Sequence, residues 1–247
     1  MLQGKTAIIT GCTRGIGRAV LEAFAANGAN IWACTRRQDN QWEEHLGKLR
    51  QEHGVSIRTL CFDVADEEQV RQAMRTLIQS HESVDILVNN AAQAPQNKAF
   101  LMTPLKDIQL NFQINFFSAL LITQSVARIM IRQKRGSILN ITSIAATDVP
   151  YGQMEYVTSK AALAAATKKL AHELAPYGIR ANAIAPGLTD TDMLREMAPE
   201  VLRQGLVSGL SGRLGKPEEI AQVAVFLASD LSGYINGQVI RVDGGMV

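Results

Sequence analysis

The sequence predicts an α/β fold in which helices cover both faces of a doubly wound parallel sheet of about seven strands. Short apolar runs alternate with longer segments of helical period from the first residues to the last. This order is typical of a parallel sheet wrapped by helices. No low-complexity linker or short-period repeat interrupts it, so we predict a single domain over residues 1–247.

Each predicted strand is brief, apolar and bounded by Gly, Asn, Asp or Pro, which indicates burial on both faces. The strands are Lys5–Thr10, Asn30–Cys34, Ile57–Phe62, Asp85–Asn89, Ser137–Thr142, Arg180–Ala185 and Gln238–Val242.

Three intervening segments carry apolar residues at positions i, i+3, i+4, i+7 and i+8, beginning at Ile16, Val70 and Ile220. This spacing predicts helices that lay one apolar face on the sheet. Asp66 with Gln69 three residues later predicts a capped helix start, and Pro217 predicts a first helical turn.

The composition argues against several classes of function. Among 247 residues, 25 Lys and Arg face 23 Asp and Glu, and these charges are scattered, so a nucleic-acid partner is not favoured. Cys12, Cys34 and Cys61 form neither a disulfide framework nor a metal motif, and the four histidines lack ligand spacing, so we predict no metal site.

The same sequence favours a cytoplasmic location. The first residues lack the pattern of a secretory signal, and the sparse cysteines are typical of a reducing compartment. The longest uncharged run, residues 108–127, contains many amides and hydroxyls, so we expect it not to span a membrane.

A glycine-rich turn joins the first strand to the first helix. Glycines let the backbone turn sharply and approach a pyrophosphate, whose charge is attracted by the free amides of the helix start. This placement favours a dinucleotide site over a purely structural turn. The candidate binding residues here are Gly11, Thr13, Arg14, Gly15, Ile16 and Gly17.

The second strand ends in Thr35 and Arg36, where no carboxylate is present to hold a ribose 2′-hydroxyl. Arg36 and Arg14 would suit a 2′-phosphate, so together they favour NADP(H) over NAD(H), although each alone is also a typical solvated loop residue. After the third strand, Asp63 and Val64 are candidates for an adenine contact, and Asp63 equally fits a loop start.

Tyr156 and Lys160 are four residues apart, so a helix would place them on one face. A neighbouring ammonium stabilises a phenolate and is expected to lower the pKa of Tyr156 towards neutrality. Ser143 follows the fifth strand, at the sheet edge where ligands bind in open α/β folds. These three residues predict proton exchange with a substrate oxygen.

Motifs along nearly the whole chain resemble the short-chain dehydrogenase/reductase family. They include the glycine turn, Asn89-Asn90-Ala91, Asn115, Ser143, Tyr156-Val157-Thr158-Ser159-Lys160, Pro186-Gly187 and Val242-Asp243-Gly244-Gly245. Within the family, the chain is most similar to 3-oxoacyl-(acyl carrier protein) reductases. The resemblance implies a Rossmann-type fold and a nicotinamide cofactor that carries hydride.

The resemblance also implies roles for individual residues. Tyr156 would be the general acid of ketone reduction, Lys160 would hold the nicotinamide ribose and tune Tyr156, Ser143 would polarise the carbonyl, and Asn115 would complete a proton relay through water. Asn90 and Ala91 would lie beside the adenosine ribose. The residues expected to hold the nicotinamide carboxamide are Pro186, Gly187, Leu188, Thr189 and Thr191.

The chain departs from the family pattern around the expected cleft. Ala92 replaces a usual glycine, and residues 93–100 form a loop that is longer than in the reductases. Asp148, Tyr151 and Glu155 are polar for a fatty acyl pocket. They are either exposed loop residues or signs of a polar substrate.

The resemblance further implies partners. Arg128, near the end of a basic helix, matches a carrier-protein contact of the reductases, but His172 replaces a second arginine. Cations at a helix end are also favoured by the helix dipole alone. The Ala-rich helix after Lys160 resembles those that pair subunits in family homotetramers.

Three functions therefore remain open. The first is NADPH-dependent reduction of a ketone, with a 3-oxoacyl thioester as the substrate. The second is the same chemistry on a sugar, a polyol or another small polar alcohol or ketone. The third is a non-catalytic NADP(H)-binding protein, which would not need Tyr156 and its activating lysine.

Overall fold

The structure is a computed structural model and describes residues 1–195 and 209–246. Its seven strands confirm the predicted ones to within one residue at each end. They are β1 (Thr6–Thr10), β2 (Asn30–Thr35), β3 (Ile57–Cys61), β4 (Ile86–Asn89), β5 (Gly136–Ile141), β6 (Ile179–Pro186) and β7 (Val239–Val242). All lie in one parallel sheet with the order β3-β2-β1-β4-β5-β6-β7.

Helices connect the strands and cover both faces of the sheet. They are α1 (Gly15–Ala26), α2 (Asn40–His53), α3 (Glu67–Gln79), α4 (Leu105–Phe112), α5 (Ser118–Gln133), α6 (Ala145–Asp148), α7 (Met154–Leu174), α8 (Asp192–Arg195) and α9 (Pro217–Ala228). A π-helical turn, Gln113–Phe117, joins α4 to α5. As predicted, Asp66 caps α3: its carboxylate accepts the N–H groups of Glu68 and Gln69.

Two apolar layers hold the helices on the sheet. On one face, α1, α2 and α9 pack around side chains such as Phe24, Leu46 and Ile220. On the other face, α3 and α5 contribute Met74 and Val126 to a second cluster that also includes the end of α7. Because both faces are covered, the central strands are mostly apolar.

The two edge strands differ from the prediction of burial on both faces. Arg58 and Cys61 of β3 are exposed, and so is Arg241 of β7. An edge strand has a neighbour on one side only, so the helices that cover the sheet leave part of it in contact with water.

By length and hydropathy alone, the helical stretch Leu105–Gln133 meets the criteria of a membrane span, and it includes residues 108–127, which the sequence predicts not to span a membrane. Half of the qualifying window is buried against the rest of the protein. Core helices pass the same test, so this match is weak evidence for a membrane location.

The strand order creates a crevice at one sheet edge. The chain extends the sheet from β1 through β2 to β3, then returns to the other side of β1 with β4. The connections that follow β1 and β4 leave in opposite directions, and ligands bind outside the carboxyl ends of strands at such a switch point.

Candidate active site

The glycine turn that follows β1 is tight enough to require its glycines. Gly11 and Gly15 have φ values of +65° and +54°, which disfavour other residues. A Cβ on Gly11 would lie 2.8 Å from the Cα of Ala91, and one on Gly17 would collide with the carbonyl oxygen of Gly11. The backbone can therefore come close to a ligand.

The start of α1 suits an anion. Arg14 precedes the helix in an extended conformation, no side chain of the described residues caps this end, and its first turn contains no acidic residue. Amide groups of a helix start attract negative charge, so the turn fits the pyrophosphate of a dinucleotide.

Asn90 ties the ends of β1 and β4 together. Its Nδ2 donates to the carbonyl oxygens of Thr10 and Gly11 at 3.0 and 2.9 Å. The Thr10 hydroxyl accepts the backbone N–H groups of Asn90 and Ala91. The hydrogen bonds from Asn90 Nδ2 therefore fix the position of the glycine turn relative to the end of β4.

The end of β2 offers one unpartnered hydroxyl and exposed cations. Thr35 is buried, and its Oγ1 has no hydrogen-bond partner within 1–195 and 209–246. Arg36 is exposed. The next carboxylate, Asp39, caps α2 by accepting the N–H of Trp42 at 2.8 Å, so it is already engaged. An orphaned hydroxyl beside a cation fits a phosphate-bearing ligand.

Two candidate cofactor residues have partners of their own. Arg14 Nη1 lies 3.9 Å from Asp192 Oδ2 of α8, so its charge is shared. Asp63 Oδ1 accepts the N–H of Ala65 at 2.9 Å, as expected of a loop start, while Val64 packs against the apolar cluster.

The segment after β6 passes over the glycine turn. Thr189 donates to the carbonyl oxygen of Gly187 at 3.0 Å, and the carbonyl oxygen of Leu188 accepts the N–H of Gly215 at 2.9 Å. Thr191 lies against Gly15, where an added Cβ would be 3.2 Å from Thr191 Cγ2. Residues 186–191 therefore close one side of the crevice.

Ser143, Tyr156 and Lys160 meet beyond the carboxyl end of β5. The Ser143 side chain lies near enough to the Tyr156 side chain to lower its pKa. Lys160 Nζ lies 5.8 Å from the centre of the Tyr156 ring and donates to the carbonyl oxygen of Ile141 at 2.7 Å. The three residues predicted from spacing and strand position are thus brought together.

Burial shifts the pKa values of both Tyr156 and Lys160. Burial raises the pKa of Tyr156, and the Ser143 side chain opposes that rise. The pKa of Tyr156 is therefore raised, contrary to the predicted lowering, because the effect of burial exceeds that of Ser143. Burial also lowers the pKa of Lys160 from 10.5 to about 8.

Asn115 lies in the π-helical turn, and π-turns are frequent at functional sites. Its Nδ2 donates to Asn111 Oδ1 at 2.6 Å and Ser159 Oγ at 3.0 Å, and its Oδ1 accepts the N–H of Gln93 at 2.8 Å. Both amide hydrogens are used, so a proton relay through this side chain would require those bonds to break.

The three polar residues between Ser143 and Tyr156 have different surroundings. Asp148 accepts two hydrogen bonds from Arg241, at 2.6 and 2.9 Å, and Tyr151 is 89% exposed. Glu155 is 1% exposed and accepts the N–H of Gln96 in the 93–100 loop. Of these three residues, only Glu155 is buried.

The basic residues near the end of α5 are exposed, and one of them has a structural partner. Arg135 Nε lies 2.9 Å from Asp85 Oδ1, while Lys134 ends the helix with a φ of +56°. Arg128 and His172 are exposed. A surface for an acidic partner would therefore depend chiefly on Arg128 and Arg132.

Sequence reasoning missed several residues that hold the site. Asn111 and Ser159 complete the Asn115 cluster, and the four-residue spacing of Asn111 and Asn115 in an apolar helix was an available signal. Asp192 and Arg241 bind their partners across long stretches of chain, and no local pattern marks them.

Comparison with known proteins identifies the family of this chain. A family model described as Enoyl-(Acyl carrier protein) reductase matches residues 11–247. The chain belongs to the short-chain dehydrogenase/reductase family. Like other members of this family, it is an oxidoreductase that acts on CH–OH groups with a nicotinamide cofactor.

Full-length relatives in the family include two reductases. A 3-oxoacyl-(acyl carrier protein) reductase from Aquifex aeolicus is 38% identical over 245 residues, which cover 99% of this chain and 98% of that protein. The enzyme of the same name from Escherichia coli is 36% identical over 247 residues, with 99% and 98% coverage.

Solved structures of the family also superpose on the whole chain. A 7α-hydroxysteroid dehydrogenase complexed with NADH and 7-oxo glycochenodeoxycholic acid has a TM-score of 0.91 at 34% identity, covering 100% of this chain and 95% of its own. A candidate NAD(P)-dependent gluconate 5-dehydrogenase from Beutenbergia cavernae, with bound NADP, has a TM-score of 0.92 at 31% identity, with 99% and 97% coverage.

Proposed function

We propose that this chain is an NADPH-dependent ketone reductase whose preferred substrate is a 3-oxoacyl thioester, and that residues 1–247 form a single cytoplasmic cofactor-binding domain. The observation that carries the proposal is the meeting of Ser143, Tyr156 and Lys160 at the crevice that the glycine turn borders. The names of the reductase relatives support the substrate class.

The chain's own residues perform the proton chemistry. Tyr156, kept protonated by its raised pKa, donates a proton to the carbonyl oxygen. Ser143 hydrogen-bonds the same oxygen, and the ammonium of Lys160 stabilises the phenolate that forms. Asn115, fixed by Asn111 and Ser159, holds the π-turn against α7. A bound nicotinamide supplies the hydride.

The proposed cofactor is NADP(H), held by the residues predicted from the sequence. The glycine turn suits its pyrophosphate, Thr35 and Arg36 suit its 2′-phosphate, and Arg14 adds a second cation. Residues 186–191, whose Thr191 contacts Gly15 of the turn, would hold the nicotinamide carboxamide. A bound NADP in a structural neighbour supports this choice.

A sugar, a polyol or another small polar alcohol or ketone is the second candidate substrate. The buried carboxylate of Glu155 favours it, and one structural neighbour is described as a candidate gluconate 5-dehydrogenase. A non-catalytic NADP(H) binder is disfavoured, because it would gain nothing from burying Lys160 beside Tyr156.

We propose two kinds of protein partner. The exposed cations Arg128 and Arg132 suit an acidic acyl carrier protein. A homotetramer is supported by the small side chains along α7 and by an apolar concavity of about 540 Å³ that includes Leu110 and Phe117.

The first test follows the oxidation of NADPH and of NADH by absorbance with acetoacetyl-coenzyme A as substrate. We expect turnover with preference for NADPH. If the protein binds NADPH but does not turn over, the thioester proposal is wrong, and a panel of sugars, polyols and small ketones tests the second candidate.

Tyr156→Phe tests whether the site is catalytic. Removal of a general acid costs typically 10²- to 10⁴-fold in rate, so we expect kcat to fall by about this factor while NADPH still binds. Tyr151→Phe, at an exposed position of the same segment, is the matched control. Full activity of Tyr156→Phe would contradict the mechanism.

A further inference from the structure

The loop of residues 93–98 is fastened on both sides of the active site. At its start, the N–H of Gln93 donates to Asn115 Oδ1 at 2.8 Å. Further along, the N–H of Gln96 donates to Glu155 Oε1 at 2.8 Å, and Gln153 Nε2 donates to Asn97 Oδ1 at 2.7 Å. The loop therefore forms a fixed wall between the π-turn and the start of α7.

Glu155 is an unexpected residue for fastening this wall. It is 1% exposed, and glutamate is rarely so buried unless it is paired. Its Oε1 is used by Gln96, but its Oε2 is buried and has no hydrogen-bond partner among residues 1–195 and 209–246. A buried acceptor without a donor costs free energy, so an additional donor is expected at this oxygen.

Glu155 is a direct neighbour of the proposed general acid, Tyr156. Glu155 directly precedes Tyr156 in α7, and Ser159 Oγ donates to the backbone oxygen of Tyr156 at 2.8 Å. Gln93 Oε1, in the same wall, is a second buried acceptor without a partner in the described chain. The wall beside Tyr156 thus contains two buried acceptors that lack a donor in the described chain.

We propose that Glu155 determines substrate specificity by accepting, through Oε2, a hydrogen bond from a donor group of the substrate close to its reacting carbonyl. Its Oε1 keeps the loop in place while this bond forms. The inference rests on the proposed function, since it places the reacting carbon at Tyr156. Two classes of substrate have such a donor. A thioester has an amide N–H in its pantetheine arm, and a polyhydroxy ketone has a hydroxyl group.

The test compares kcat/KM of the wild type and Glu155→Gln for three ketones. Acetoacetyl-coenzyme A carries amide donors, 5-oxogluconate carries hydroxyl donors, and ethyl acetoacetate carries no donor. Glutamine retains one acceptor for Gln96 but replaces a carboxylate oxygen with an amide. Glu173→Gln is the matched control, because it makes the same change at an exposed site on the same helix.

We expect Glu155→Gln to lower kcat/KM for one donor-bearing ketone by about tenfold relative to kcat/KM for ethyl acetoacetate. The loss should come mainly from a higher KM. A fall confined to acetoacetyl-coenzyme A identifies the amide as the donor, and a fall confined to 5-oxogluconate identifies the hydroxyl. An equal fall for all three substrates, or no fall, overturns the proposal, because Glu155 then only anchors the loop.

A wild-type measurement covers the case in which the variant does not fold. The acetoacetyl thioester of N-acetylcysteamine is compared with its N-methylated amide, which lacks the donor, and 5-oxogluconate is compared with its fully O-methylated form. Equal kcat/KM values within both pairs overturn the proposal.

Failure of the proposed function would be recognised separately. Wild-type protein that binds NADPH but reduces none of these ketones overturns that function. Calorimetric titration of the two donor-bearing ketones into the NADPH complex then decides the role of Glu155. About tenfold weaker binding of either ketone to Glu155→Gln supports the proposal, and equal affinities for both overturn it.

Discussion

Burial of Lys160 sets a pH limit on the site within the range of ordinary assays. Its pKa is lowered to about 8, so the ammonium loses its proton as the pH rises through that value. Tyr156 stays protonated over the same range because burial raises its pKa. Of the two groups, Lys160 therefore limits ketone reduction on the alkaline side.

We predict that kcat/KM for ketone reduction falls above about pH 8 and approaches a tenfold decrease per pH unit, because only the ammonium form stabilises the phenolate. The profile is measured from pH 6 to 10 at saturating NADPH. A profile that stays flat to pH 10 would show that the charge of Lys160 is not needed.

The two candidate phosphate-binding arginines are not equivalent. Arg14 already lies 3.9 Å from a carboxylate oxygen of Asp192, whereas Arg36 is exposed and directly follows Thr35, whose hydroxyl has no partner in the described chain. A charge that is shared with an internal partner gives less to a ligand.

We predict that Arg36→Ala raises the KM for NADPH by about tenfold and leaves the KM for NADH nearly unchanged, since it removes a charge-assisted hydrogen bond to the 2′-phosphate. Arg14→Ala should have a smaller effect. Arg37→Ala is the exposed neighbouring control. If Arg36→Ala affects both cofactors equally, the proposed NADPH preference has another origin.

At the scale of elements, helix starts and the π-turn position the site. The π-turn shifts the register of the α4–α5 helix where Asn115 lies, so that one amide reaches Asn111, Ser159 and Gln93. Helix α3 depends on its cap, because Asp66 satisfies two N–H groups of the first turn.

Replacement of that cap should be measurable as a loss of stability. We predict that Asp66→Ala measurably lowers the free energy of unfolding, because two N–H groups of the first turn lose their acceptor. Asp66→Asn retains a side-chain acceptor and should lose less. Urea denaturation followed by circular dichroism compares the two variants, and equal losses would mean that the cap bond is not the cause.

At the scale of the whole molecule, long-range ion pairs and exposed apolar surface connect the site to its surroundings. Arg241 of β7 binds Asp148 of α6, so the chain's last described strand supports the segment that follows Ser143. Leu105, at the start of α4, and Phe117, at the end of the π-turn, are 68% and 51% exposed. Such apolar side chains are typical of an interface between subunits.

We predict that Phe117→Glu reduces the native mass of the proposed homotetramer, because a charge in an apolar interface is desolvated without a partner. Light scattering coupled to size-exclusion chromatography measures the mass. Ile78→Glu is the control, because Ile78 is an exposed apolar residue of α3. A wild-type protein that is monomeric at assay concentration would refute the tetramer itself.

The sequence by itself determined the elements and the composition of the site. Strand and helix periods are local, and they placed all seven strands to within one residue. The Asp66 cap and the one-turn separation of Tyr156 and Lys160 are also local, since each depends on a few consecutive residues. The motif order was enough to indicate the family.

Only the tertiary structure decided which polar groups have partners and how much water they lose. Asp148 and Arg241 are 93 residues apart, and Glu155 reaches a loop 59 residues away, so neither contact has a sequence spacing to predict it. The pKa of Tyr156 is raised, not lowered, because folding removes much of its contact with water. Desolvation depends on packing from every direction, which a linear pattern does not contain.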